Sequence, residues 1–257
     1  MDSSQTSVTR RTILKGAAAL AATALRTHPQ NPYWARDRLV FIAALLGNTS
    51  LQNHLLAQDP MLRANYNALH KPGWAAERAG NSPDTWWDAT LLGAQAAQLV
   101  SEDKAALLVS LYDRRFKSPE DFILRCPQFC NSISAAPALI AALRKVGRRT
   151  DADRVLRNAV KEIAKLKTTG DHPLFNTEVS SARLAALAGD PKEAIRRLRD
   201  AVARGWKGQD TGFPDPEHDP AFVTLRGDPN FQAAIGLLHK SQAAEAERLT
   251  HIDLSGI

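Results

Sequence analysis

Apolar and small residues recur at helical spacing along most of the chain, and the clearest stretch runs from Ser181 to Gly205. A turn, Gly189-Asp190-Pro191, separates two apolar faces in this stretch. The two faces consist of Ala182, Ala185, Leu187 and Ala188, then of Ala194, Ile195, Leu198, Ala201 and Val202. Glycine suits the position after a helix end, and Asp-Pro suits an N-cap followed by the first helical residue. The stretch therefore predicts a helical hairpin.

The same spacing occurs further upstream. Residues at identical offsets, with a period of about 42, form two copies: Gly147, Ala152, Leu156 and Ala159, then Gly189, Ala194, Leu198 and Ala201. An earlier copy with less suitable residue types keeps the same offsets at Val100, Ala105, Val109 and Tyr112. Helical patterns separated by Pro and Gly breakers continue elsewhere from about Tyr33, so we expect an all-α fold.

This offset pattern resembles the tetratricopeptide repeat, whose second helix carries small residues where helices cross closely. The resemblance covers Ile133–Gly205 well and extends to Pro83–Phe116. Two family positions differ, because Glu178 stands where a large aromatic is expected and Ala185 where a tyrosine is expected. The period also exceeds the family's value of about 34 residues. The resemblance implies a right-handed α-solenoid of helical hairpins.

Two copies of the phrase Asp-Pro-x-Phe follow, at Asp219–Phe222 and Asp228–Phe231. This arrangement resembles the closing segment of tetratricopeptide arrays in bacterial proteins, including regulators. Each Asp-Pro can start a helix, and the two phenylalanines are expected to cover the open end of the stack, since terminal repeats need such cover. We assign residues 219–249 as a capping segment of a domain that spans residues 29–257.

The N-terminus resembles a bacterial twin-arginine signal. Arg10 and Arg11 are followed by two large apolar residues, a lysine and an alanine-rich run. We therefore interpret residues 1–28 as an export signal, which predicts a periplasmic protein whose contact with the membrane is made through this signal alone. The alternative is an alanine-rich first helix in a cytoplasmic protein.

Charge and cysteine usage add little to this picture. The formal net charge of +6 is spread along the chain and no nucleic-acid-binding motif is present, so we do not expect nucleic acid as a partner. Cys126 and Cys130 are the only cysteines, and Pro127 between them predicts a break in the helix. A local disulfide forms there if the compartment is oxidising; two reduced, packed thiols are the alternative.

The sequence contains no glycine-rich phosphate loop, no GxSxG motif and no pair of histidines at metal-ligand spacing. We therefore predict no catalytic residue, no cofactor and no metal ligand. Trp74, Trp86 and Trp87 are either core filler or the lining of a binding groove. Ser82-Pro83-Asp84 predicts the start of a helix, on which the adjacent tryptophans would point about 100° apart, so we do not expect both to be deeply buried.

These patterns together predict a non-catalytic scaffold that binds a protein or peptide partner. One alternative is a ligand-binding or enzymatic helical protein with a tryptophan-lined pocket. Another is a cytoplasmic regulatory remnant, suggested by the resemblance of the C-terminal phrase to regulators.

Overall fold

The computed structural model describes residues 49–60, 71–88, 92–124, 131–169, 174–206 and 216–249, together with Val40, Leu62, Arg63 and Tyr66. These residues form helices and turns, and no strand is found among them. The prediction of an all-α protein is confirmed. The chain divides into two compact units: residues 67–238 form the larger one, and residues 1–66 with 239–257 form the other.

In the unit that contains both termini, helix α1 spans Thr49–Gln58. Its C-terminal end is closed by Arg63, whose Nε donates to the Leu56 carbonyl at 3.0 Å and whose Nη2 donates to the Ala57 carbonyl at 2.9 Å. A cation at this end also complements the helix dipole. Leu55 and Leu56 are buried.

The unit of residues 67–238 contains eight of the described helices: α2 (Trp74–Asn81), α3 (Leu92–Ser101), α4 (Ala105–Arg115), α5 (Pro119–Leu124), α6 (Asn131–Lys145), α7 (Arg149–Thr169), α8 (Leu174–Leu187) and α9 (Pro191–Ala203). Two 3-10 turns lie at Trp86–Asp88 and Pro220–Leu225. The last helix, α10 (Pro229–Leu249), continues past His239, where the division between the units falls.

Consecutive helices in this unit pack against each other as three hairpins, α3–α4, α6–α7 and α8–α9. The first helices of the hairpins are also in contact in succession, because α6 contacts both α3 and α8. Helix α7 contacts α5 and α8 as well. The first hairpin is joined to the second mainly through α3 and α6, whereas the second is joined to the third through both of its helices, since α6 and α7 each contact α8.

The three hairpin turns share one backbone geometry. A residue with positive φ follows each first helix: Asp103 (φ 61°), Gly147 (φ 84°) and Gly189 (φ 81°). The next amide in each turn donates five residues back, with N···O distances of 2.7, 2.8 and 3.0 Å from Lys104, Arg148 and Asp190, respectively. This bond and a second one from the positive-φ residue, three residues back, define the Schellman motif.

The shared geometry corrects the register of the earliest copy. Val100 lies inside α3, whereas Asp103 occupies the position of Gly147, so the sequence offsets are wrong by three residues there. Aspartate tolerates the left-handed conformation better than most residues, and its short side chain bonds locally. Here Lys145 Nζ lies 2.5 Å from the Asp103 carboxylate, which lowers the pKa of that carboxyl.

The apolar face predicted for α9 is confirmed at four of its five positions. Ala194, Ile195, Leu198 and Ala201 are buried, and Val202 is half-buried. The face predicted for α8 is partly wrong: Ala182 is buried, Ala185 and Leu187 are half-buried, and Ala188 is exposed in the turn. The buried side of α8 is instead set by its contacts with α6, α7, α9 and the 3-10 turn at residues 220–225, and includes Arg183 and Leu184.

The buried apolar residues form two clusters. The first cluster combines α2, the 3-10 turn at residues 86–88 and helices α3 to α7. The second cluster combines α9, Trp206, Phe222, Leu225 and the first part of α10. Helix α8 contributes to both, since Leu184 belongs to the first cluster, whereas Val179 and Ala182 belong to the second.

Candidate binding surface

The first helices α3, α6 and α8 share a neighbour far along the chain. The segment Asp219–Leu225, which we call the closing segment, contacts α8, α6 and α3. It therefore reaches well beyond the terminal hairpin α8–α9, whereas the sequence predicted that it covers the open end of a stack. We call the surface that these three helices present to it the first-helix face.

The closing segment is held on the first-helix face by a buried ion pair. Arg183 Nε of α8 donates to Asp219 Oδ2 at 2.5 Å, and the two side chains are only 1% and 4% exposed. Asp219 Oδ1 also accepts from the amide of Ala221 at 2.8 Å, so one carboxylate caps the 3-10 turn and neutralises the arginine. Removal of one partner from such a buried pair typically costs about 3–5 kcal/mol.

An aromatic side chain provides the second anchor of the closing segment. Phe222 is fully buried in the second cluster, and its ring centroid lies 5.5 Å from that of Phe231, which is also fully buried. Leu225 is buried as well, whereas Val223 is 56% exposed. The segment thus has a buried side and a solvent side.

The second copy of the phrase behaves differently. Asp228 Oδ1 accepts from the amides of Asn230 at 2.7 Å and Phe231 at 3.4 Å, so it caps α10 as the sequence predicted. Within the described residues no ion pair involves Asp228. The aspartate of each Asp-Pro-x-Phe copy therefore caps the start of a helical segment. The first copy differs because its aspartate, Asp219, also pairs with the buried Arg183.

The first-helix face is covered in this structure. On α6, every residue from Ile133 to Leu143 is buried or half-buried, and α3 is buried apart from Gln98 and Ser101. Besides the closing segment, α2 and the turn at residues 86–88 contact α3. A partner that uses this face has to take the place of one of these neighbours.

The adjacent tryptophans lie in the core. Trp86 is 0% and Trp87 is 2% exposed, so the prediction that the two are not deeply buried together is wrong. They stand on a 3-10 turn covered from two directions, because Trp86 Nε1 donates to the Ala75 carbonyl of α2 at 3.4 Å and Trp87 Nε1 to the Leu111 carbonyl of α4 at 3.0 Å. Both polar atoms are therefore satisfied, as buried indoles require.

Trp87 is the centre of an aromatic group within the first cluster. Its ring meets those of Trp86, Phe116 and Phe122 edge to face, with centroid separations of 5.0, 5.1 and 5.5 Å. Edge-to-face pairs at such distances stabilise a core beyond their buried area. This packing favours the core-filler interpretation for Trp86 and Trp87.

Trp74, the third tryptophan predicted to bind, is half-buried at the start of α2. The Arg78 guanidinium carbon lies 5.9 Å from its ring centroid, and Arg78 Nη1 donates to Gln95 Oε1 at 2.6 Å. Burial lowers the pKa of Arg78. Trp74 packs against the first cluster, to which Trp86 and Trp87 belong, and a binding role for it stays a prediction.

Glu178, one of the departures from the family pattern, has a partner in the structure. Arg197 Nη1 of α9 donates to Glu178 Oε2 at 2.7 Å, and Arg197 Nε donates to Glu193 at the same distance. Hydrogen bonds from Arg196 and Arg197 lower the pKa of Glu193 to about 2. Where a tetratricopeptide repeat would place an aromatic ring, this hairpin has an ion pair between its two helices.

The sequence did not indicate Arg183 and gave Asp219 a capping role only. Arg183 lies between Ala182 and Leu184, on the side of α8 that the structure buries. A charged residue at such a position requires a partner. That partner is 36 residues away and no local pattern connects them.

Several predicted residues lie outside the described part of the chain: Cys126, Cys130, Arg10 and Arg11. Among the residues that the structure describes, no group of three or more His, Cys, Asp or Glu side chains is arranged to hold a metal ion. No described helix combines the length and the hydropathy needed to cross a membrane. Comparisons with family models, with curated proteins and with solved structures gave no match.

Proposed function

We propose that this protein is a non-catalytic scaffold that binds a protein or peptide partner and is built from tetratricopeptide-like hairpins stacked as a right-handed solenoid. Three features support the stack: the common Schellman turns, the succession of contacts between α3, α6 and α8, and the buried small residues Ala152 and Ala194 at equivalent offsets. Repeats of this kind bury their cores against their neighbours.

The observation that carries the binding function is the first-helix face itself. It holds a short, irregular piece of chain through a buried ion pair between Arg183 and Asp219 and an aromatic anchor, Phe222. Charged pairs and buried aromatic side chains are the groups that dominate the affinity of protein interfaces. The alternative is a tryptophan-lined pocket. Two of the three residues predicted to line it, Trp86 and Trp87, are buried in the core.

We also propose that the scaffold acts in the periplasm, on the strength of the resemblance of residues 1–28 to a twin-arginine signal. The cytoplasmic regulator remains the alternative. Fractionation of cells that produce the full chain separates the two, because a cleaved form in the periplasmic fraction supports export and an uncleaved cytoplasmic form contradicts it.

Site-specific photo-crosslinking in cells tests the binding function. A crosslinking amino acid replaces either Val223 in the closing segment or Val160 on α7; the two valines are 56% and 48% exposed. We expect a discrete adduct from position 223 and none of the same mass from position 160, because Val223 is exposed on the segment that covers the first-helix face, whereas Val160 lies on the second helix of a hairpin. Equal adducts at both positions, or none at either, would contradict a partner at this face.

A further inference from the structure

We propose that the exposed side of the second helices α7 and α9 is a docking surface for an anionic lipid bilayer. We call this side the basic face and define it by Arg157 and Lys161 on α7, by Lys192 and Arg199 on α9, and by Arg204, the C-cap of α9. The inference goes beyond the proposed function, because it leaves the first-helix face to the protein or peptide partner. It adds a membrane contact to the one expected from the N-terminal signal.

The basic face has an excess of positive charge that the carboxylates of the same helices do not neutralise. Each acidic residue of α7 and α9 already pairs with an arginine or a lysine: Asp151, Asp153, Glu162, Glu193 and Asp200. Within the part of the chain that the structure describes, no residue of the basic face forms an ion pair, and all are exposed. Arg199 donates to the Asn230 carbonyl at 3.4 Å, which leaves its charge uncompensated.

The cations of the basic face recur both at helical spacing and at the repeat period. Arg157 and Lys161 are separated by one helical turn on α7, so their side chains lie on the same side of that helix. Arg157 lies five residues after the buried Ala152, and Arg199 has the same offset from the buried Ala194. Both helices pack against α8. Because equivalent residues of successive repeats form a row, Arg157 and Arg199 belong to one side of the two hairpins.

The first hairpin does not share this excess of positive charge. Arg114 of α4 pairs with Asp84 at 2.7 Å, and Arg115 pairs with Asp88 at 3.3 Å. The arginines at the end of α4 are therefore compensated, although they are as exposed as those of the basic face. The uncompensated charge is a property of α7 and α9, and Arg114 and Arg115 provide a matched control.

The residues between these cations favour a lipid surface over a protein partner. The exposed positions Ala164 and Ala203 have small side chains, and neither α7 nor α9 contains an aromatic residue. Protein interfaces are typically centred on large side chains that fill pockets of the partner. Headgroup phosphates need no such anchor, because solvated lysine and arginine side chains are attracted by the negative surface potential of the bilayer.

Co-sedimentation of the full chain with vesicles tests the basic face. The wild type should bind vesicles of equal parts phosphatidylglycerol and phosphatidylcholine, and should not bind vesicles of phosphatidylcholine alone. Each basic residue near an anionic surface contributes about fivefold to binding at low salt, so Arg157→Gln with Lys161→Gln should weaken it about 25-fold. Lys192→Gln with Arg204→Gln should weaken it to a similar extent. Salt at about 1 M should abolish these differences, because the Debye length falls to about 3 Å.

Arg114→Gln with Arg115→Gln is the matched control, because it removes the same number of charges from exposed positions of α4. This variant should bind the anionic vesicles within about twofold of the wild type, since its arginines are already paired. Substitutions at such exposed positions usually preserve the fold, and thermal unfolding of each variant verifies this.

Four results would overturn the inference. They are no binding of the wild type to anionic vesicles, an equal loss of binding in the control, wild-type affinity in both test variants, and tighter binding of the wild type to duplex DNA than to anionic vesicles. The third result would assign the contact to the N-terminal signal, and the fourth would assign the basic face to nucleic acid. The proposed function stands in each case, because the protein adduct at position 223 does not depend on the basic face.

Discussion

Replacing Ala194 by leucine tests the hairpin packing most directly. Ala194 is fully buried on α9 and belongs to the second cluster, where α8 and α9 pack together. Three additional carbon atoms at such a crossing force side chains from their preferred rotamers or move the helices apart. Overpacking of this kind typically costs about 1–3 kcal/mol. For a chain of this size that corresponds to a fall in Tm of roughly 2–12 °C.

Ala203→Leu provides the matched control on the same helix. Ala203 is exposed, so the same substitution should change the free energy of unfolding by no more than about 0.5 kcal/mol. Ala152→Leu is the second comparison: Ala152 holds the equivalent offset in the hairpin α6–α7 but belongs to the first cluster. Thermal and urea unfolding of the three variants gives the energies.

Hydrogen exchange then shows which cluster loses protection in each variant. In Ala194→Leu, faster exchange should spread from Ser181 through Leu238, a range that contains every buried residue of the second cluster except Val179, while Trp86–Tyr112 stays protected in the first. Ala152→Leu should show the opposite distribution. Uniform loss of protection along the chain in either variant would refute local packing between neighbouring hairpins and would indicate one cooperative core.

Four further predictions concern single positions and the termini. Asp103→Gly should raise Tm slightly, because glycine adopts the positive φ of this turn without steric cost, whereas the ion pair with Lys145 that it removes is exposed and contributes little. Tyr112→Phe should be neutral or stabilising by about 1 kcal/mol, since the buried hydroxyl has no hydrogen-bond partner among the described residues. Burial raises the pKa of Tyr112 to about 12. The wild type should therefore lose stability as pH rises from about 10, where the unfolded tyrosine ionises, towards 12, and the phenylalanine variant should not. Cys126 and Cys130 should form a local disulfide in exported protein, and alkylation followed by intact-mass analysis, with and without reductant, should differ by two thiols; two free thiols in periplasmic protein would contradict it. Cleavage after Ala24 should remove three basic residues and one acidic residue, which lowers the formal net charge from +6 to +4, and mass spectrometry of the mature chain checks the site.

Local spacing predicted the second helices well, and the reason is physical. The faces of α9 follow from apolar residues three and four positions apart, and the turn before α9 follows from Gly189 and the cap at Asp190, whose carboxylate accepts from the Glu193 amide at 3.0 Å. These features depend on neighbours within one helical turn. The register of the earliest copy was wrong because aspartate at Asp103 indicates a positive φ less strongly than glycine does.

The tryptophan pair was misjudged for a different reason. Helical spacing predicts burial against one covering surface, whereas the turn at residues 86–88 lies between α2 and α4, which accept hydrogen bonds from Trp86 and Trp87, respectively. Burial on two sides is decided by packing between distant segments. The pairing of Arg183 with Asp219 belongs to the same class, because each residue is ordinary within its own sequence context.

The position of Arg183 gives the first-helix face a connection to both clusters. Arg183 directly precedes Leu184, which belongs to the first cluster, and directly follows Ala182, which belongs to the second. The Arg183–Asp219 ion pair therefore lies on the one described helix that both clusters share, so a change such as Asp219→Asn, which removes the charge of the partner, should loosen both clusters rather than one.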